Sequence, residues 1–388
     1  MSSLFADNLK VTNIQNPSTS SGGVSIDTSG HVTVDSVAMP SSGPLSNRNK
    51  IINGDMRIDQ RNGGSSVTPG ASDYTLDRWR FDLSQASKLT CQQVADAPTG
   101  FTHSTKITSS SSYSVGASDY FLYIQKIEGY NSADLALGTS NAKTFTVSFH
   151  VKSSQTGTFC AAIRSSSYNY TYPATFTVSS ANTWEYKTIT ISGPTSGTGW
   201  DTDNSSGMEL SFTLGSGSNF AGTANTWTAS NKFGVSGQVN IVSTSGATFY
   251  VTGVQLEVGS AATPFEHRSY GQELALCHRY CLVYGGKTFT RIAITSAYAT
   301  TGASCMIFLP VAMRAIPSLT SVGSFQHELP GVASSGITAW TPDVNACDTK
   351  VFKFDATFGA NGSSSGSKSG QITASNDANA RFTLSAEL

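Results

Sequence analysis

The sequence predicts a mainly β protein, in order an N-terminal hairpin segment, a jelly-roll or β-sandwich domain, one buried helix and a C-terminal β-sandwich. Three observations predict it. Segments alternating between apolar and polar residues recur through most of the 388 positions, and a period of two marks a half-buried strand. Clusters of Gly, Ser and Asn separate these segments, supplying turn chemistry at short intervals. A helical period shows in one stretch, near residue 270.

Residues 1–45 form the first expected part. In VSIDTSGHVTV, Val24 and Ile26 are followed by Val32 and Val34 across a Thr28-Ser29-Gly30 turn, which predicts a hairpin between the linkers PSTSSGG and MPSSGPLS. A lone hairpin is marginal in water, so this segment is expected to dock on another chain. Residues 46–268 are expected to form the jelly roll. In TFTVSFHVK, Phe145, Val147, Phe149 and Val151 share one face while Thr146, Ser148, His150 and Lys152 take the other. WEYKTITIS, MELSFTLGS and ATFYVTGVQLEV repeat the pattern.

Residues 269–286 predict the buried connecting helix. Ser269 and Gln272 match a capping box, and Leu274, Leu276, Cys277, Tyr280, Cys281, Val283 and Tyr284 then follow at helical spacing up to Gly285-Gly286. An apolar surface that wide must be buried. Residues 287–388 return to strands joined by Ser/Gly loops such as GANGSSSGSKSG and predict a smaller sandwich, read as a distal tip facing a receptor.

Composition excludes several function classes. Charged residues are 13% of the chain against about 25% in ordinary soluble domains, and hydroxyl and amide groups replace them, as in β-rich extracellular and virion proteins. Net charge is −1 without a basic block, so counterion release on nucleic acid has no footprint. No apolar run approaches the roughly 20 residues of a membrane helix. MSSLFADNLK lacks a signal peptide's basic and apolar regions, which predicts synthesis in the cytoplasm. The sequence shows no G-x-G-x-x-G, P-loop, H-E-x-x-H or G-x-S-x-G motif, so neither an enzyme nor a cofactor is expected.

Four constellations invite chemistry. Cys277, His278 and Cys281 crowd five positions, yet a structural zinc needs four ligands and a nucleophilic thiol needs an open, electropositive setting; packing is the expected role, with no metal. Asp55, Asp59, Asp73, Asp77 and Asp82 cluster in the first third, where paired carboxylates could serve glycoside hydrolysis, but Asp77-Arg78-Trp79 reads more naturally as a structural ion pair beside a buried Trp. Asp201, Asp203 and Asn204 space oxygens as a calcium loop does but lack the bidentate Glu, so a turn is expected. Tyr168, Tyr170 and Tyr172 would share one face of an extended chain, either stacking on sugars or packing across strands or subunits. Tyr298 and Trp340 near loop ends are further candidates for glycan contact.

NRNKIINGDMRIDQR (47–61), YTLDRWRF (74–81) and VTGVQLEVGSAATPFEHRSYGQELALCHRYC (251–281) resemble a module recurrent in tail fibres and related tail proteins of bacteriophages, many of them marine. The hairpin, NTWEYKTITISG and GMELSFTLGSG fit the same module, so the resemblance covers most of residues 20–284. It implies a carbohydrate-binding-like jelly roll in a homotrimeric virion appendage, held by its N-terminus to a tail or adaptor protein and meeting a host-surface glycan distally, with neither nucleic acid nor membrane insertion. Phe265, Glu266 and Arg268 match its PFExR joint; with Leu274, Cys277, Tyr280 and Cys281 they are expected to build the structural joint and trimer interface. The competing readings are an architectural appendage without a receptor and a tailspike-type polysaccharide depolymerase.

Overall fold

A computed structural model describes residues 13–14, 24–26, 32–34, 37–38, 46–329, 331, 333–359 and 368–388. The chain is mainly β and divides into two compact units, residues 1–56, 82–90 and 94–267 in one, and 57–81, 91–93 and 268–388 in the other.

Along the first part of the chain, β1 (Asn13–Ile14), β2 (Val24–Ile26), β3 (Val32–Val34) and β4 (Val37–Ala38) form an antiparallel four-stranded sheet. The expected hairpin is its centre, with Val24 opposite Val34 and Ile26 opposite Val32; its Thr28-Ser29-Gly30 turn lies outside the described residues. There follow β5 (Arg80–Leu83), β6 (Leu89–Val94), β7 (Ser104–Ser109), β8 (Tyr120–Glu128), a helical turn α1 (Gly129–Ser132), β9 (Phe145–Ser153), β10 (Gly157–Ser165), β11 (Thr171–Val178), β12 (Glu185–Ile191) and β13 (Ser206–Ser216). The short β14 (Ala221–Gly222) and β15 (Gly234–Val235) and the long β16 (Thr248–Val258) complete this part.

Two five-stranded sheets result, in the orders β11-β10-β13-β8-β5 and β12-β9-β16-β7-β6. Their inner faces meet as the alternation requires. Phe149 of β9 lies edge-on to Phe176 of β11 at 5.0 Å and to Phe212 of β13 at 5.1 Å, so rings from both sheets interlock in the core. The outer face of the first sheet is covered as well: Leu122, Ile124 and Ala162 bury against Phe233 from the 217–240 crossing. Beside them Arg164 pairs with Glu209, an exchange that offsets the desolvation of both charges.

The second unit begins its C-terminal part with α2 (Tyr270–His278), followed by β17 (Cys281–Gly285), β18 (Arg291–Ala299), β19 (Gly302–Phe308), β20 (Ser318–Val322), β21 (Phe325–Glu328), β22 (Ser335–Pro342), β23 (Val351–Phe358), β24 (Lys368–Ala374) and β25 (Arg381–Ser385). The capping box stands as expected, Ser269 accepting from the Gln272 amide while the Gln272 side chain accepts from the Ser269 amide. The helix itself is shorter than expected and is not buried all round: in α2 only Glu273 and Cys277 are buried. Cys281 is not helical. It opens β17, which pairs with β25, so part of the apolar run that read as a helical stripe belongs to a strand. Where a C-terminal sandwich was expected, six strands close into a barrel, β18-β19-β23-β22-β21-β24, beside the three-stranded sheet β17-β25-β20. Small inward side chains such as Ala297, Ala303 and Ala356, interleaved with Phe352, Phe354 and Phe358, let so few strands close over a filled interior.

Residues 57–81 and 91–93, which fall inside the stretch expected to form the jelly roll (46–268), pack in the second unit. The charges of 57–81 explain their place there. Arg78, fully buried, pairs with Glu387, which also takes Arg61 at 3.1 Å. The Arg78 guanidinium sits 3.6 Å over the Tyr280 ring. Asp77 takes hydrogen bonds from the Gln60 amide at 2.7 Å and its side chain at 2.6 Å, so the ion pair predicted within Asp77-Arg78-Trp79 runs instead from Arg78 to the far end of the chain. Trp79 is buried as expected.

Candidate functional site: an aromatic groove on the outer sheet face

Period two along β9 turns His150 outward while Phe149 and Val151 enter the core. Its cross-strand neighbour on β12 is Tyr186, half exposed at 50%, and the two rings lie 4.9 Å apart. On the other side β16 bulges between Thr252 and Gln255. Gly253 sits in that bulge at φ 62°, where a Cβ would come within 2.7 Å of Phe101 and 3.0 Å of His150 Nδ1. Only glycine leaves room for Phe101 to lie against the sheet there.

Phe101 is the hub of the site. Its ring lies 5.1 Å from His150, 5.1 Å from Phe265 and 5.3 Å from His267. The result is an open groove of about 630 Å³, lined by these rings and by Thr99, Ser148 and Pro264 among others, within the range typical of small-ligand sites. Burial pushes the His150 imidazole below its ordinary pKa, and its buried Nδ1 has no hydrogen-bond partner among the described residues. Chemically the groove offers flat apolar ring faces, one unpartnered ring nitrogen and peripheral hydroxyls. Ring faces take the CH faces of sugars, and a ligand hydroxyl is the natural partner for an orphaned nitrogen.

Of the tyrosines singled out in the sequence, Tyr170 and Tyr172 gather on one indole while Tyr168 stands apart. Tyr168 lies in a turn at φ 57°, with Arg164 4.4 Å and Lys126 5.8 Å over its ring. Tyr170 stacks on Trp227 at 5.7 Å, Tyr172 lies 5.1 Å from the same indole, and Trp200 closes the group edge-on. The extended geometry behind the period-two expectation begins only at Thr171. Tyr298 is 60% exposed on β18. Trp340 packs against Phe325, Phe354 and Phe382 and donates to Ser321 Oγ at 2.9 Å.

Phe265, read as a joint residue, forms a wall of the groove. Glu266 accepts from the Asn49 amide at 3.0 Å, and Arg268 pairs with Glu273 at 3.3 Å. Leu274 is partly exposed. Cys277, Tyr280 and Cys281 are buried, and burial drives both thiols well above the ordinary range. Among the described residues no group of three His, Cys, Asp or Glu is arranged to hold a metal. Asp203 accepts from the Ser205 amide two residues on, a local turn contact, whereas Asp201 accepts from Ser166, 35 positions away, at 2.8 Å. Phe101, His150, Tyr186 and His267 went unselected in the sequence; the available signal was two aromatic side chains, His150 and Tyr186, at the solvent phase of their strands.

No family model matches the chain, and no curated protein matches it. Solved structures resemble part of it. The enzymatically active domain of tailspike protein 4 of bacteriophage CBA120 is 13% identical at a TM-score of 0.29, over 54% of this chain and 21% of that one. The family 11 carbohydrate-binding module of cellulosomal cellulase Lic26A-Cel5E of Clostridium thermocellum is 12% identical at 0.26, over 52% and 97%. TmCBM61, in complex with β-1,4-galactotriose, is 11% identical at 0.27, over 54% and 99%. The matched region thus spans about a fifth of the tailspike domain and nearly all of each module.

Proposed function

We propose that this chain is a phage tail-fibre protein whose jelly-roll unit binds a host-surface glycan. In this reading it is a homotrimer of the virion tail, attached to a tail or adaptor protein through residues 1–45, with the C-terminal unit at the distal end. The observation that carries the glycan reading is the groove around Phe101, with Tyr186, His150, Phe265 and His267 presenting rings on a sheet face. Carboxylates are absent from the described residues lining it, and glycoside hydrolysis works through a flanking pair of them, which favours binding over a depolymerase. Trimerisation suits weak sugar contacts because linked sites multiply affinity by about 10²–10⁴.

Two measurements test the reading. Purified protein is expected to block adsorption of the phage that carries it, and the Tyr186→Ala protein to block it poorly. Failure of the unaltered protein to compete would favour a purely architectural appendage, and new reducing ends released from host polysaccharide would establish a depolymerase. Light scattering is expected to give three times the 40.7 kDa chain mass; a monomer at micromolar concentration would remove the fibre assembly.

A further inference from the structure

We infer that the groove selects uncharged sugars and rejects acidic ones, a specificity that rests on the glycan reading above and goes beyond it. Among the described residues that face the groove there is no Lys, Arg, Asp or Glu. Charged groups around it are already committed: Lys152, two residues along β9 from His150, pairs with Asp96, Lys187 beside Tyr186 on β12 pairs with Glu185 at 2.6 Å, and Arg48 pairs with Glu257 at 3.4 Å while donating to Thr263 Oγ1 at 2.7 Å. A uronate or sialate carboxylate entering here would shed water against rings without meeting a free cation, and an unpaired charge moved out of water is strongly penalised. The electrostatics of His150 point the same way, since burial disfavours its cationic form.

A neutral pyranose meets the opposite situation. Its CH face lies on Tyr186 or Phe101 and displaces poorly bound water. One of its hydroxyls satisfies His150 Nδ1, which is otherwise orphaned. The exposed hydroxyl of Thr99 and the half-exposed Tyr186 mark the open rim, where longer chains leave the groove.

The test is calorimetry on the full chain with neutral trisaccharides of glucose and galactose, and with trisaccharides containing galacturonate or sialate. Neutral ligands are expected to bind at least about tenfold tighter than acidic ones. Tyr186→Ala, at a half-exposed position that leaves the fold intact, is expected to weaken neutral binding about tenfold through loss of the stacking surface. His150→Phe keeps the ring but removes the nitrogen, and should weaken binding with the thermal melt unchanged. Thr99→Lys, which places a cation on the rim, should raise affinity for the galacturonate ligand in a salt-sensitive way. Acidic sugars bound as tightly as neutral ones, with that binding lost in Tyr186→Ala, would overturn the specificity and leave the glycan reading standing. Sugar binding unchanged in both Tyr186→Ala and His150→Phe would overturn the assignment to this groove. Binding of no glycan at all, or of a proline-rich peptide instead, would overturn both.

Discussion

Glu387→Ala is the most direct challenge to the account of the second unit. Glu387 is 5% exposed and faces Arg78, itself 1% exposed, and Arg61 at 14%. Removing its carboxylate leaves a guanidinium buried beneath the Tyr280 ring, 3.6 Å away, without its carboxylate partner. Breaking a buried ion pair by deleting one member costs about 3–5 kcal/mol. Replacing both Arg78 and Glu387 by apolar residues of similar volume should cost much less, because no buried charge is then stranded. The assay is guanidinium denaturation of the full chain, following the near-ultraviolet signal of Trp79 and Tyr280. With a slope of about 5 kcal/mol per molar, the midpoint of the second unit should fall by roughly 0.6–1 M in Glu387→Ala. The double variant should recover most of that loss. A folded Glu387→Ala protein whose midpoint moves by less than about 0.2 M would refute the idea that this charge cluster holds residues 57–81 in the second unit.

Asp77 predicts a pH dependence of definite sign. Burial outweighs the attraction of Arg61 and the Gln60 hydrogen bonds and raises its carboxyl from 3.8 to about 6. A folded-state value above the unfolded one contributes stability that is present below about pH 4 and disappears as pH rises through about 6. That contribution amounts to roughly 3 kcal/mol. Denaturant midpoints at pH 4.5, 6 and 7.5 should therefore show wild-type protein gaining on Asp77→Asn as pH falls; parallel curves would exclude it. Ser269→Ala removes the hydroxyl half of the capping box and should lower stability by about 1 kcal/mol, seen as a thermal shift of a few degrees. Gly54→Ala places a Cβ 2.2 Å from the Val254 carbonyl oxygen. Since the contact is with backbone, loss of soluble folded protein or a severely lowered melting point is expected, measured by expression yield and calorimetry.

How much of this was legible depends on the range of the interaction. The β9 pattern was readable because period two is local, and the buried Phe145, Val147, Phe149 and Val151 follow it. The capping box was readable because its partners are three residues apart. The end of the helix was not: Cys281 and Val283 fit a helical stripe as well as a strand, and only the ladder with Thr383 and Ser385 on β25 decides between them. The groove was hidden for a similar reason. Phe101, His150, Tyr186 and Phe265 come from four separate stretches of the chain, and nothing beside any of them in the sequence marks it as a groove residue. The tyrosine run misled because Tyr168 occupies a turn at positive φ, where the spacing rule for strands does not apply.

The sequence by itself determined that the chain is mainly β, where a helix begins, and which side of strands such as β9 faces a core. Each depends on neighbours within a few residues. Tertiary structure alone decided the closure of the last strands into a barrel, the capture of residues 57–81 by Glu387, and the gathering of rings around Phe101. These rest on strand register and on contacts between residues up to 326 positions apart, and at that range a side chain's partner is set by how the sheets close rather than by what stands beside it in the chain.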